Sequence, residues 1–341
     1  MATPTLNYSV LSGALSQVYR PRTVRTFNGR SMLLRFLPKQ RGAGKNCAWT
    51  WEGTGAIGEN YSDGADVSTT GSDTKNAATL SWGMYRSSFH ITDFAASVAA
   101  SSNSPQDLIM AVGREFENAT RKVASVINVA GYSGAGTGTL IGGLDVALDD
   151  SNTYAGVDRS QAANAGFRSY LIDPGSPTAP TFALIRTDLA AIYDNCGEVP
   201  PLAFCSTAVW NKIASLFTEF RRYVQEVNVG GRSVSLDASV GAIEIDGCVF
   251  IKDKDATAST IYYINPNYVH WEYLPFAGMA GMMVQTAEKP VDDGYGPMPL
   301  GMMCKPLSTA GASQKMTCQV QLQLVVEKPN ACGRRVNVDA S

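Results

Sequence analysis

The chain has 341 residues, which predicts roughly two domains and allows a large core without help from disulfides or metal. Hydrophobic residues at 45% exclude a disordered chain, and charged residues at 17% leave weakly charged surface of the kind that packs against neighbours. The net charge of −2 argues against a dedicated nucleic-acid binder.

The charge is unevenly spread. Residues 1–45 carry Arg20, Arg22, Arg25, Arg30, Arg35, Lys39, Arg41 and Lys45 and no acid, so the remaining 296 residues hold −10. Such a basic arm lies on something acidic. A neighbouring copy of the chain is favoured over nucleic acid, because no aromatic residues alternate with the charges. The arm reads as extended, with at most a short helix near Val10 to Tyr19. The Met-Ala-Thr-Pro-Thr start has no charged n-region or apolar h-region, so no signal peptide is expected. Seven widely spaced cysteines without a CxxC read as reduced core thiols in a reducing aqueous compartment.

Two alternating runs follow, with Cys47, Trp49 and Trp51 on one strand and Leu80, Trp82 and Met84 on the other. Between them, Gly53 to Asn76 is polar and glycine-rich, which predicts a long hairpin with a mobile tip. Tryptophans on so exposed a hairpin are expected to be covered by another subunit. Ser104 and Pro105 then open a long amphipathic helix through Leu108, Val112, Phe116, Ala119, Val123 and Ala130 to Gly131. A loop with six glycines among residues 131–143 ends it.

The middle of the chain alternates helix and strand: a helix from Thr181 to Asn195 stopped by Gly197, a strand over Pro200 to Phe204, and a helix capped by Ser206. Asp246-Gly247 predicts a type I′ hairpin turn. Cys318, Val320, Leu322, Leu324 and Val326 alternate with polar residues, the clearest half-buried strand in the chain. The helix over 105–130 is expected to cross a sheet containing strand 317–327, with 150–275 as a separate lobe. Tyr273 to Val284 is too short and too interrupted to span a bilayer.

No constellation with catalytic spacing emerges. The two histidines, His90 and His270, adjoin no nucleophile motif, and both read as strand or edge residues. Arg41-Gly-Ala-Gly-Lys45-Asn46 lacks the first Gly and the Ser or Thr of a phosphate loop, and reads as a flexible joint. Gly134 to Gly138 lacks the strand and helix of a dinucleotide site. Asp145, Asp149, Asp150 and Asp158 lack the order of a calcium loop and read as a solvated acidic loop. Catalytic, cofactor and metal residues are therefore all expected to be none, and a structural protein is the implied class.

At Thr153-Tyr-Ala-Gly-Val-Asp-Arg-Ser160, followed by Gly166-Phe-Arg168, the chain resembles major capsid proteins of tailed double-stranded DNA phages, the Hong Kong ninety-seven type. Ala155 stands where that family often has Gly, and Phe167 where it has Trp. The order of features is similar too, over nearly the whole chain. The resemblance implies an α+β capsid fold with an N-terminal arm (1–45), an extended β-hairpin or E-loop (46–92), and a peripheral domain of spine helix and sheet (93–149 and 276–330). An axial α/β domain (150–275) and a C-terminal tail (331–341) complete it.

It further implies pentamers and hexamers in an icosahedral shell around the DNA genome, in the virion after assembly in the host cytoplasm. The partners are copies of itself, a separate scaffolding protein, a portal, a decoration or cement protein, and DNA held by weak non-specific contact, with no membrane. Arg20, Arg22, Arg25, Arg30, Arg35, Trp49, Trp51 and Trp82 would contact other subunits. Tyr154, Asp158, Arg159 and Arg168 would fix the start of the axial domain through hydrogen bonds or an ion pair. Alternatives are an encapsulin-like compartment of the same fold or a β-rich phage enzyme or binding protein. No crosslink is expected, since nothing marks a partner for Lys75.

Overall fold

A computed structural model describes residues 31–54, 63, 74–92, 105–216, 226–229, 232–235, 242–274, 282–283, 302–306 and 313–340. Arg20, Arg22, Arg25 and Arg30, the helix expected near Val10 to Tyr19 and nearly all of the hairpin tip lie outside these residues. The chain begins with α1 (Met32–Phe36), β1 (Lys39–Arg41), β2 (Asn46–Thr54), β3 (Thr74–Ser81), β4 (Gly83–Thr92) and the long α2 (Pro105–Ser133). It continues through α3 (Leu144–Ala147), β5 (Thr153–Tyr154), β6 (Val157–Asp158), a 3-10 turn at Ala162–Phe167 and β7 (Tyr170–Ile172). Then come α4 (Phe182–Cys196), β8 (Leu202–Cys205), α5 (Thr207–Ser215), β9 (Glu226–Val229), β10 (Arg232–Ser235), β11 (Ala242–Ile245), β12 (Cys248–Lys252) and β13 (Ile261–Ile264). The last strands are β14 (Val269–Tyr273), β15 (Met282–Met283), β16 (Met303–Pro306), β17 (Ser313–Val326) and β18 (Gly333–Arg335).

The first sheet runs β1-β14-β17-β16-β15, with β4 on the other side of β17. Even-numbered residues of β17, from Met316 to Val326, are all buried, as period two requires of a strand with one core face. The helix α2 lies across β4 and β17. It buries Phe116, Ala119, Val123 and Ile127, the three-and-four spacing of one helical stripe. At 29 residues it is about 44 Å long. Its extent, the N-cap at Thr181, the cap at Ser206 and the left-handed Gly197 match the expected elements, with α2 and β17 each a few residues longer. The Asp246-Gly247 turn has positive φ at both residues, 48° and 81°. No helix among the described residues is long and apolar enough to cross a membrane.

The second sheet runs β11-β12-β8-β13-β18-β7 and is covered on both faces. Leu202, Phe204, Val249, Ile251, Tyr262 and Ile264 join the core that contains α1 and α2, and the phenyl rings of Phe36 and Phe204 meet at 6.2 Å. Ala203, Cys205, Cys248, Phe250, Ile261 and Tyr263 face Ile185, Leu189 and Ile192 of α4 and Val209 and Ile213 of α5. A strand buried on both faces reads as a continuous apolar run, which is why Leu202 to Cys205 shows no alternation.

Several expectations are corrected here. The segment 150–275 is not separate from the rest, because one face of its sheet shares a core with α2. Its last strand, β14, pairs with β17 in the first sheet, while β18 lies between β13 and β7. Residues 331–341 thus include an interior strand rather than forming only a tail. The expected run through Leu80, Trp82 and Met84 is broken at Trp82, where the chain passes from the β2–β3 hairpin to β4.

Trp51 and Trp82 need no other subunit to cover them. Trp51 and Trp82 are 6% and 4% exposed within the single chain, and half-buried Trp49 packs on the same core. Trp82 Nε1 donates to the Gly44 carbonyl at 3.1 Å, and a Cβ at Gly42 would fall 2.3 Å from the Trp82 ring. The joint at residues 41–46 is therefore anchored at Gly42 and Gly44, though its other residues are exposed. Arg35 is buried in α1 with its guanidinium 5.7 Å from the Phe36 ring centre, so it is part of this chain's own interior. Cys47, Cys205, Cys248 and Cys332 are buried free thiols, and burial pushes the Cys332 thiol up to about 12. Cys318 departs from the reduced-thiol reading: it is disulfide-bonded, and Cys304 is its register partner on β16.

His270 on β14 is 4% exposed, and burial lowers its pKa from 6.5 to about 4. The unfolded chain therefore binds the proton more readily than the folded one. Stability is full above about pH 6.5 and falls as the pH drops to 4, by about 3 kcal/mol in all. Urea midpoints from pH 7 to 4 should show this loss, and His270→Gln should remove its share; parallel profiles for the two proteins would refute it.

Candidate functional site

The segment that carries the resemblance forms a brace between the hairpin, α3 and the first sheet. Thr153–Asp158 is a two-strand ribbon whose turn, Ala155-Gly156, has φ of 52° and 80°. Both values are left-handed, as a type I′ turn demands. The Ala155 carbonyl accepts from the Thr79 N–H at 2.8 Å, so the ribbon is tied to β3. Tyr154 is fully buried, and its Oη accepts from the Val326 N–H at 3.1 Å, which ties the ribbon to β17. Burial raises its phenol well above the usual value. Its ring stands 6.1 Å from Phe167 and 6.3 Å from Trp49, and Phe167 lies 4.8 Å from Trp51. One aromatic stack thus joins the ribbon to the inward face of β2.

Arg159 is the most buried charge of the site, at 0% exposure. Its Nε donates to the Asn152 carbonyl at 2.7 Å, and its terminal nitrogens donate to Ala147, at 2.6 Å, and to Val146. The last two are end carbonyls of α3, where a cation complements the helix dipole. Its guanidinium also lies 5.5 Å from the Tyr154 ring centre. Burial lowers its pKa to about 10, with Asp149 and Tyr154 acting in the opposite direction.

The neighbouring carboxylates are spoken for. Asp158 makes no ion pair with Arg159: it caps its own turn, accepting from the Ser160 N–H and hydroxyl and the Gln161 amide, and these bonds lower its pKa. Arg168 instead meets the backbone, with Nε on the Arg159 carbonyl and a terminal nitrogen on the Ser160 and Gln161 carbonyls at 3.0 and 3.1 Å. The four residues are brought together as expected, but through hydrogen bonds to carbonyls and turns rather than an Asp–Arg pair. Asp149 is buried; desolvation opposes its charge, but the Ser151 and Asn152 N–H groups and the Arg159 and Arg334 guanidiniums hold its pKa below the usual carboxylate range. Asp145 accepts from Tyr262 Oη at 2.7 Å, Thr257 at 3.0 Å and Arg334 at 2.8 Å. Asp145 and Asp149 therefore belong to an internal network rather than a solvated loop, whereas Asp150 is exposed and Asp158 caps its own exposed turn.

Ala155 offers a direct test of the turn. A left-handed Ala costs about 1–2 kcal/mol, against about 0.5–1 kcal/mol of added backbone entropy for Gly. Ala155→Gly is expected to stabilise the chain by about 0.5–1 kcal/mol in urea unfolding; a lowered midpoint would show that the Ala155 methyl contributes more through packing.

Three further contacts were not legible in the sequence. Arg335 donates two bonds to buried Asp188, one of them at 2.6 Å, and Tyr263 Oη donates to the same carboxylate at 3.0 Å. Arg334, one residue earlier, points to the opposite face and reaches Asp145 and Asp149. The amide of Asn128 joins three segments: it accepts from Ser31 at 2.6 Å and donates to Asp253 and Asp255. Two adjacent arginines near the end of a low-charge chain were the only signal available, and nothing in the sequence names their acids. The combined effect is mechanical, since each network fixes one element against another.

No protein-family model and no curated protein matches the chain in sequence. Solved structures match it in fold. A chain of the cyanophage A-1(L) capsid asymmetric unit is 17% identical, with a TM-score of 0.64 over 90% of this chain and 92% of that one. The capsid of the native GTA particle gives 11% and 0.55 over 92% and 91%. The holo-SrpI encapsulin complex from Synechococcus elongatus gives 12% and 0.50 over 100% and 92%. The chain thus has, over nearly its whole length, the α+β fold that these capsid and encapsulin chains share.

Proposed function

We propose that the chain is the major capsid protein of a tailed phage, assembling as pentamers and hexamers into an icosahedral shell around double-stranded DNA. The observation that carries this reading is the two-way match to the cyanophage capsid chain, which leaves almost no part of either molecule without a counterpart. In this reading 1–45 is the arm, 46–92 the E-loop, 93–149 with 276–330 the peripheral domain, and 150–275 the axial domain, to which β18 is added from the 331–341 segment. The brace around Arg159 and Tyr154 sets the hairpin's angle to the body, so its role is geometric rather than catalytic. Scaffolding, portal and decoration proteins would be separate partners, and the chain would occupy the host cytoplasm before the virion.

The encapsulin match keeps a second reading open to test, a compartment that encloses protein cargo. Electron microscopy of purified particles separates the two. Uniform icosahedral shells with packaged DNA support the first, enzyme cargo the second, and a persistent small species refutes both. Because α1 and β1 pack into this chain's own core and first sheet, the part of the basic arm proposed to lie on a neighbouring copy is residues 1–30, supported by Arg20, Arg22, Arg25 and Arg30 and the absence of any acid among them. Deleting residues 1–30 should leave the melting curve nearly unchanged and reduce particle yield severely; normal particles from the truncated chain would refute the arm's role.

A further inference from the structure

Along β4 and the first half of β17, beyond the covered end where Glu272 and Gln323 lie, the face of the first sheet away from α2 has a charge pattern that a shell wall does not by itself require. Met84, Arg86, Ser88 and His90 alternate away from α2 along β4, and all four are exposed. Across the ladder, Lys315 stands opposite His90, Thr317 opposite Ser88 and Gln319 opposite Arg86, with Lys315 exposed, Gln319 half-buried and Thr317 between them buried, at 2% exposure. Lys305 on β16 holds the register position opposite Thr317. The three strands β4, β16 and β17 contain no Asp or Glu at all. Among the described residues, no carboxylate pairs with Arg86 or Lys315.

Other exposed surfaces mix their charges. The outer side of α2 sets Glu115 among Arg114 and Lys122, and on α4 Arg186 is paired with Asp246 at 2.7 Å. The face on β4 and β17 also lacks the apolar centre of a protein–protein interface, since Met84 is its one exposed large hydrophobic residue. What it offers is cations and neutral donors.

We propose that this face lies against duplex DNA, with Arg86 and Lys315 on phosphates and Ser88 and Gln319 as neutral donors beside them. The proposal rests on the shell reading, in which one wall of the protein layer faces the contents. Arg86 stands four residues from the His90–Lys315 pair, about 13 Å along the strand. Duplex DNA carries one charge per ~1.7 Å of axis, so this spacing meets several phosphates. Contacts to phosphates carry no base information, so the contact is independent of base sequence.

The test uses the full-length unassembled chain and a random-sequence duplex of about 30 base pairs, titrated across a range of salt. Each phosphate contact contributes about 0.9 to the slope of log affinity against log salt. Arg86→Ser with Lys315→Ser should reduce that slope by about 2 while the arm's own contribution persists in both proteins. An unchanged slope, or no binding by the parent chain, overturns the proposal. In assembled particles, Lys315 should be acetylated more slowly when DNA is present than after nuclease emptying, with Lys122 equal in both. Equal reactivity of Lys315 in the two states overturns it, and so does equal protection, which would mean that a neighbouring copy covers the face. A reduced slope in a chain that never forms particles would sink the shell reading and leave the DNA-binding face standing.

Discussion

Arg159→Ala is expected to destabilise the chain by about 3–5 kcal/mol, because a fully buried side chain is lost and three carbonyls, one buried and two partly buried, lose their donor at once, each unsatisfied buried acceptor costing about 1–3 kcal/mol. The carbonyls belong to Val146, Ala147 and Asn152, and no other side chain reaches any of them among the described residues. Arg159→Met separates the two components of the effect. It restores most of the volume but none of the donors, so it should remain close to the Ala variant in urea midpoint. Arg159→Lys should recover only part of the loss, since an ammonium cannot span three acceptors laid out for a guanidinium fork. The emission of Trp49 and Trp51 should shift to the red in the Ala variant, because the ring stack that begins at Tyr154 rests on Arg159. A Met variant as stable as the parent would show that the site needs bulk rather than hydrogen bonds.

Asp188→Ala is expected to cost about 3–5 kcal/mol by a different route. It leaves the Arg335 guanidinium buried without its counter-ion and the Tyr263 hydroxyl without its acceptor. The pair fastens β18 to α4, so proteolysis near the C-terminus should accelerate along with the loss of stability. Replacing both partners with apolar residues of similar volume, Asp188→Leu with Arg335→Met, should recover most of the loss, since no buried charge then remains. A double variant no better than Asp188→Ala would mean that the geometry of the pair, and not the cost of an orphaned charge, holds the strand.

The hairpin shows where reasoning from exposure fails. Trp51 and Trp82 sit on alternating strands with no apolar partner nearby in sequence, so an outside cover is the natural inference. Their cover is Phe167 for one and the turn at Gly42 for the other, contributed by segments whose proximity depends on the closed fold. Arg35 misleads in the same way: in a run of basic residues it looks solvated, yet α1 turns it inward beside Phe36. The Tyr154–Arg168 group was legible only through likeness to a family, and of its two expected forms of bonding, hydrogen bonds or an ion pair, the structure shows the first, with Arg159 on the Val146, Ala147 and Asn152 carbonyls.

Local periods and caps settled which segments became helix or strand. The three-and-four spacing of α2, the alternation of β17, the caps at Thr181 and Ser206 and the Asp246-Gly247 turn each depend on residues within one or two turns of one another. Tertiary structure alone decided that β14 leaves the middle region for the first sheet and that β18 enters the second. It also decided which acid meets which arginine, as when Arg335 finds Asp188 across 147 positions. Pairing between distant segments is governed by shape and burial in the assembled core, and those quantities do not exist until the chain has closed on itself.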